Sequence, residues 1–267
     1  MEAAASSHHA VALSAPSESL AAHDWPAHAG FELQLVRSPA TEPGTLELVD
    51  VRPREESETA TRVVNVIIAL IGLLAATPVM VVVALLVRLT SRGPVLYSQT
   101  RVGVDRRYKR TDTDDRRRYD QGGKPFEMFK FRSMVVDSEA DGRAVWAQPQ
   151  DPRVTPIGRM LRKTRLDELP QLYNVIRGDM NIVGPRPERP TIFAELRQEI
   201  PQYHMRQRVR PGITGWAQVN QAYDACLDDV RQKVSYDLEY IRRRSVLEDL
   251  RIMSMTIPVM LFRHGGW

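Results

Sequence analysis

The sequence predicts a mixed α/β, mostly helical chain. A membrane-embedded helix–break–helix anchor is joined to a small domain with short strands and interfacial helices. Three observations carry this expectation. Residues 63–87 form one uncharged apolar run, VVNVIIALIGLLAATPVMVVVALLV. Beyond it come short β-branched or aromatic stretches, at 95–99 and 126–131. A series of segments with helical spacing and capping signals then continues to the C-terminus.

Composition bounds the rest. The chain has 267 residues, 43% of them apolar, enough for one large domain or two small ones. Its net charge of +4 suits an anionic partner, whether a phosphate ligand, a nucleic acid or an acidic lipid. The single cysteine, Cys226, excludes an internal disulfide and fits a reducing compartment. It also leaves no Cys/His zinc site of the usual spacing.

Residues 1–60 are rich in Ala, Ser, Pro, His and Glu and hold no lasting period. They read as a disordered or loosely ordered tail, with a brief strand at 31–36 (FELQLV) as the one exception. The tail lacks the basic start and short apolar run of a signal peptide. His8 and His9 form an adjacent pair that reads as solvated rather than metal-binding.

The apolar run, within a membrane-embedded segment at 61–92, is long enough to cross a ~30 Å hydrocarbon layer at ~1.5 Å per residue. A buried helix of a soluble domain would keep a polar face, and this run has none. Pro78 lies past its middle, preceded by Thr77, and removes a backbone donor, so a kink is expected there. Arg54 and Arg62 flank one side and Arg88, Arg92 and Arg101 the other. Basic flanks stay in the cytoplasm. Applied to both ends, the rule favours a hairpin that enters and leaves by one face, over a straight span.

Residues 93–267 form the remaining domain. Gly93-Pro94 opens it with a turn, ahead of the two strands. Between the strands lies the charged stretch 105–120, DRRYKRTDTDDRRRYD, read as a solvated loop or hairpin tip. Its interleaved aspartates would weaken phosphate binding, so no nucleic-acid partner is expected. Helices follow at Pro156–Thr164, 166–177 (closed by Gly178), Pro190–Glu199 and Leu227–Arg243. The last segment, 250–262, alternates cationic and apolar residues. It reads either as an interfacial helix on the membrane or as a helix packed on the domain core.

The candidate chemistry centres on RLDELPQL, residues 165–172. Asp167 and Glu168 are adjacent, so on a helix they diverge by about 100°. The bland reading is a helix start, with acids complementing the dipole and Pro170 tolerated in the first turn. Three features argue for chemistry. Arg153, Arg159, Arg162, Lys163 and Arg165 crowd the approach to Asp167 and would hold it ionised, as an acceptor, metal ligand or nucleophile. Pro185-Arg186-Pro187 stiffens a loop around one forked donor suited to phosphate. Lys130 and Arg132 sit at period two on a strand. Cations converging on one carboxylate suggest a diphosphate substrate with a divalent ion between acid and phosphate.

Several stretches resemble the bacterial sugar transferase family, the monotopic polyprenyl-phosphate phosphoglycosyl transferases of the small, minimal type. They are GPVLYSQ at 93–99 with Arg101-Val102-Gly103, KPFEMFKFRSM at 124–134, DPRVTPIGRMLRKTRLDELPQLYNVIRGDMNIVGPRPE at 151–188 and VRPGITGWAQVN at 209–220. The likeness runs from about Arg62 to the C-terminus and leaves out the tail.

The resemblance implies transfer of a sugar-1-phosphate from a UDP-sugar to polyprenyl (undecaprenyl) phosphate, with Mg²⁺, to start an exopolysaccharide or glycoconjugate. It makes Asp167 the nucleophile and a magnesium ligand, and UMP the leaving group. A phosphosugar–aspartyl intermediate then passes its phosphosugar to the lipid. Glu168 becomes a supporting acid/base group, and Arg162, Arg186 and the Pro-Arg-Pro turn match positions near the phosphates and nucleotide. Thr77-Pro78 matches the break of a re-entrant helix. The resemblance also implies the bacterial inner membrane, with the catalytic domain on the cytoplasmic face. The stretch 105–120 is longer than the family's usual turn, and no bundle of further spans precedes residue 63. A competing reading is a non-enzymatic membrane adaptor for a polysaccharide assembly complex.

Overall fold

The structure is a computed structural model and describes residues 50–54, 57–109, 122–136, 138, 151–221 and 226–262. The expected strand at 31–36, the His8-His9 pair and most of the charged stretch lie outside these residues.

The apolar run forms one helix, α1 (Glu58–Thr90), unbroken through Pro78. Ser57 caps it, accepting from the Ala60 amide at 3.2 Å, and Glu58 complements the dipole, so it starts five residues before the apolar run. Pro78 cannot bond the Leu74 carbonyl, and Thr77 Oγ1 instead donates to the Leu73 carbonyl at 2.7 Å. The anticipated helix–break–helix is therefore a single helix whose backbone is weakened at Thr77-Pro78.

The anchor is not a separate unit. Thr61, Asn65, Ala69, Val83 and Val87 are buried along one face of α1. Val63, Ile67, Leu70, Ile71, Leu74, Val81, Leu85 and Leu89 are exposed along another. The 3.6-residue period thus makes one stripe for the domain and one for an apolar exterior.

Strand β1 (Leu96–Val102) pairs antiparallel with β2 (Pro125–Phe131), in register from Leu96 opposite Phe131 to Val102 opposite Pro125. Both strands are longer than the periodicity indicated. Residues 105–109 begin the charged connection, with an Asp105–Arg107 ion pair and a turn of 3-10 helix at Arg107–Lys109.

Helix α2 (Pro156–Thr164) starts at Thr155, whose hydroxyl accepts from the Gly158 amide. It stops at Arg165, the one non-glycine with positive φ (57°) among the described residues. The single helix expected at 166–177 is divided. Leu166–Glu168 is a 3-10 turn, and α3 (Gln171–Arg177) starts only after Pro170, which has no amide to extend the turn. Gly178, at φ 93°, closes α3 by bonding the Asn174 and Val175 carbonyls.

Sequence periodicity did not reveal β3 (Asn181–Val183), which pairs parallel with β4 (Gly212–Thr214). Between them, α4 (Pro190–Glu199) and a 3-10 segment, Tyr203–Arg208, cover one side. Helices α5 (Trp216–Asn220), α6 (Leu227–Arg243) and α7 (Val246–Phe262) complete the described chain. Helix α7 packs on the domain core, the second of the two readings of its segment, and keeps an exposed apolar face. Ile252 is wholly buried and Met253, Met255 and Val259 pack on the core, while Leu247, Leu250, Ile257 and Met260 face outward.

Three apolar clusters hold these elements. The largest joins β1, β3, α4, α6 and α7, with Phe193, Tyr203, Tyr240 and Ile241 inside. Val51 also belongs to it, and Arg208 bonds the Val51 carbonyl, so residues 50–54 dock on the domain rather than continuing the tail. The other two clusters lie along α1. Ala69 meets Phe126, Met128, Val175 and Met180, whereas Val83 and Val87 meet Phe131 and Leu161.

Candidate active site

The 3-10 turn at 166–168 places both acids inward. Asp167 and Glu168 are 6% and 7% exposed, and neither caps a helix. Their environments differ sharply. Glu168 Oε1 accepts from Lys130 Nζ at 2.9 Å and from Arg186 Nη2 at 2.6 Å, and Arg165 approaches its Oε2 at 3.9 Å. Asp167 Oδ2 lies 4.0 Å from Lys130 Nζ and has no hydrogen bond to the described residues.

The electrostatics follow. Burial pushes the Asp167 carboxyl above its ordinary value. Lys130, Arg186 and Arg162 pull it down and Glu168 adds to the rise. Glu168 is buried too, yet Arg186 and Lys130 hold it well below the ordinary carboxylate range. Burial lowers the Lys130 ammonium against the pull of Glu168. Lys130 and Arg186 bond the neighbour, and with Arg162 they favour the ionised form of Asp167 against the cost of its burial.

The sequence-derived residues divide into two groups. Lys130, Arg186 and the two acids converge. Arg162 acts on Asp167 at longer range, and its Nη1 is buried with no hydrogen-bond partner among the described residues. Arg132 is not brought to the acids. Its Nη2 bonds the Ser91 carbonyl at 2.8 Å and the Ser91 hydroxyl at 2.7 Å, tying β2 to the end of α1. The period-two argument fails for it because the strand ends at Phe131.

The Pro185-Arg186-Pro187 loop owes its fixed shape to more than its prolines. Each of its three carbonyls is held from a different element. Gly212 N donates to Pro185 O at 3.0 Å, Arg206 Nη2 to Arg186 O at 3.0 Å, and Arg101 Nη1 to Pro187 O at 3.0 Å. Sequence reasoning missed Arg206, Arg101 and their counter-ions. Arg206 is wholly buried and bonds Asp237 Oδ2 at 2.7 Å, while Lys233 bonds Glu188 at 3.2 Å. No local spacing links positions 206 and 237, so only the fold reveals the pairing. Gly212 was legible as a glycine but not as a requirement. A Cβ there would lie 2.1 Å from Gly184 N, closer than backbone allows.

Among the described residues no group of three or more His, Cys, Asp or Glu side chains is arranged to cage a metal. The donor set does fit a hard cation held by one carboxylate and completed by substrate phosphates. Asp167 has its oxygens uncommitted, whereas Glu168 is taken up by Lys130 and Arg186.

Known proteins resemble this chain across the region that holds the site. The bacterial sugar transferase family pattern matches residues 56–263. The chain is 41% identical over 205 residues to a UDP-N-acetylgalactosamine-undecaprenyl-phosphate N-acetylgalactosaminephosphotransferase of Aeromonas hydrophila, covering 77% of this chain and 44% of that protein. It is 42% identical over 198 residues to a UDP-glucose:undecaprenyl-phosphate glucose-1-phosphate transferase of Escherichia coli (strain K12), covering 73% and 39%. It is 35% identical over 215 residues to the exopolysaccharide production protein PSS of Rhizobium leguminosarum bv. phaseoli, covering 77% and 97%. The chain thus spans less than half the length of the first two relatives and nearly all of the third. With the matched region running through α1, the acid pair and the Arg186 loop, the chain belongs to the bacterial sugar transferase family.

Proposed function

We propose that the protein transfers a sugar-1-phosphate from a UDP-sugar to undecaprenyl or a similar polyprenyl phosphate, as an early step of exopolysaccharide or glycoconjugate synthesis. The observation that carries this is the asymmetry of the two acids. Glu168 neutralises and aims Lys130 and Arg186, which leaves Asp167 buried beside the cations without a hydrogen bond of its own.

In this mechanism an Asp167 oxygen attacks the sugar-bearing phosphorus of the donor. The new O–P bond forms as the bond from that phosphorus to the bridging oxygen breaks, and UMP leaves with the electron pair. Lys130, Arg162 and Arg186 offset the repulsion between carboxylate and diphosphate and stabilise the leaving charge. A phosphate oxygen of the lipid then attacks the same phosphorus, and the aspartyl–phosphorus bond breaks, restoring the Asp167 carboxylate. Glu168, held ionised, is a poor proton donor and serves to position the cations. Mg²⁺, held by Asp167 and the donor phosphates, would supply charge neutralisation at the diphosphate.

Attachment of α1 supports placing both its ends on one membrane face. Near the N-terminal end, Arg62 bonds the Val175 and Ile176 carbonyls, and Asn65 Oδ1 accepts from Ile182 N at 2.6 Å. Near the other end, Val83 and Val87 pack on Phe131 and Leu161. A straight span would put ~30 Å of hydrocarbon between contacts made by a single polar domain. A helix that enters and leaves by the cytoplasmic face of the inner membrane, with the weakened Thr77-Pro78 turn at its deepest point, keeps both contacts on the domain's side of the membrane.

The test is UMP release from a panel of UDP-sugars by detergent-extracted protein, with intact-mass detection of a phosphosugar adduct. Asp167→Asn should abolish both while the protein still inserts in membranes. UMP release by that variant at the wild-type rate would remove Asp167 as nucleophile. No release from any donor by the wild type would favour the adaptor reading.

A further inference from the structure

A cavity of about 220 Å³ opens directly beside the acid pair. Arg165, Glu168, Thr214, Gln218 and Thr256 contribute polar groups to its lining, and most of its surface is apolar, from Leu172, Ile213, Val259 and Met260 among others. A hydrogen bond between the Thr214 and Thr256 hydroxyls, at 2.8 Å, ties α7 to β4 and fixes the wall between them.

Two observations relate the cavity to the membrane. Leu172 lines it and also abuts α1, since a Cβ on Gly72 would lie 3.5 Å from the leucine Cδ1. The cavity is therefore one side chain away from the middle of the apolar helix. Met260, which also lines the cavity, is 45% exposed, and Ile257 on the preceding turn of α7 is 60% exposed, so apolar surface of α7 adjoins the cavity as well.

A mostly apolar space that also holds the Arg165 guanidinium, beside Glu168, suits an amphiphile with a phosphate head. Its few other polar groups, Thr214, Gln218 and Thr256, are fewer than the hydroxyls and ring atoms of a nucleotide sugar would need. Resting on the transferase reading above, we propose that this cavity receives the first isoprene units of the polyprenyl phosphate acceptor. Its phosphate would then lie at the Arg165 end, next to Asp167, and its chain would leave past α7 into the bilayer. Acceptor selection then includes recognition of the chain nearest the phosphate as well as of the phosphate itself.

The experiment uses full-length protein in nanodiscs and a polyprenyl phosphate carrying a photoreactive diazirine on its first isoprene unit. Labelling of Leu172 or of residues 256–260 is expected. Labelling confined to the outer stripe of α1 would overturn the proposal. A second measurement fills the space with Val259→Trp and compares acceptor and donor KM values. The acceptor KM should rise roughly tenfold relative to the donor KM, the scale on which an apolar pocket discriminates small changes in fit. An unchanged ratio would overturn the proposal. A wild-type protein that releases no UMP would instead refute the transferase reading, and the labelling would still report whether lipid enters the cavity.

Discussion

Adjacent acids with opposite environments should respond oppositely to neutralisation. In Glu168→Gln the two short contacts to Lys130 and Arg186 lose their charge, and Lys130 keeps only Asp167 at 4.0 Å. Removing one partner of a buried pair costs ~3–5 kcal/mol. Lys130 and Arg186 retain side-chain exposures of 19% and 31%, so water compensates in part and the lower end, about 3 kcal/mol, applies. For a domain of this size that corresponds to a Tm lower by roughly 6–12 °C. Asp167→Asn removes a carboxylate that burial disfavours, so its Tm should match or exceed that of the wild type.

The pH dependence has a fixed sign. Glu168 has a depressed folded-state pKa, so its stabilisation is complete above the ordinary glutamate value and is lost as pH falls through the depressed one. The gap between wild type and Glu168→Gln should therefore close only in strong acid. Asp167, with a raised pKa, penalises the fold above that value and ceases to do so once protonated. The assay is tryptophan-fluorescence melting in detergent with chelator present, at neutral pH and down an acid series. A Glu168→Gln protein as stable as the wild type, or an Asp167→Asn protein less stable than Glu168→Gln, would refute the assignment of roles.

Other outcomes follow from the same contacts. Arg206→Met should strand Asp237 and cost ~3–5 kcal/mol. Adding Asp237→Leu should recover much of that stability in melting curves, while the donor KM stays raised because the Arg186 carbonyl remains unheld. Gly212→Ala should prevent correct folding, seen as aggregation on size exclusion, because its Cβ meets Gly184 N at 2.1 Å. Asn65→Leu should leave the Ile182 amide without its acceptor and lower stability by ~1–3 kcal/mol, read as an earlier melting transition.

What the sequence made legible was local. Helices α2, α4 and α6 carry their own period, with Pro at the start of α2 and α4, and their bounds came out as read. The β1–β2 pair was visible because each strand is rich in aromatic or β-branched residues. The β3–β4 pair was not, since three-residue strands carry no measurable alternation and are joined only by tertiary contacts. At the site, residue types and proximity pointed to Asp167, Glu168 and Arg186. The division of partners between the acids depends on where Lys130 emerges from a distant strand. Arg132 shows the converse, a cation of suitable type and spacing directed to Ser91 by the end of its strand.

The bond from Arg62 to the last carbonyls of α3 has a consequence beyond anchoring. Helix α3 begins three residues after Glu168 and ends at Gly178, where Arg62 of α1 reaches its Val175 and Ile176 carbonyls. Helix α1 is therefore a structural support of the candidate site. An unrelated transmembrane segment of equal hydropathy could hold the domain at a membrane but could not replace Arg62, Asn65, Val83 or Val87. Exchange of the helix for an unrelated apolar one would break these contacts, so the exposed apolar stripe is free to drift while the inner stripe must change in concert with the domain it supports.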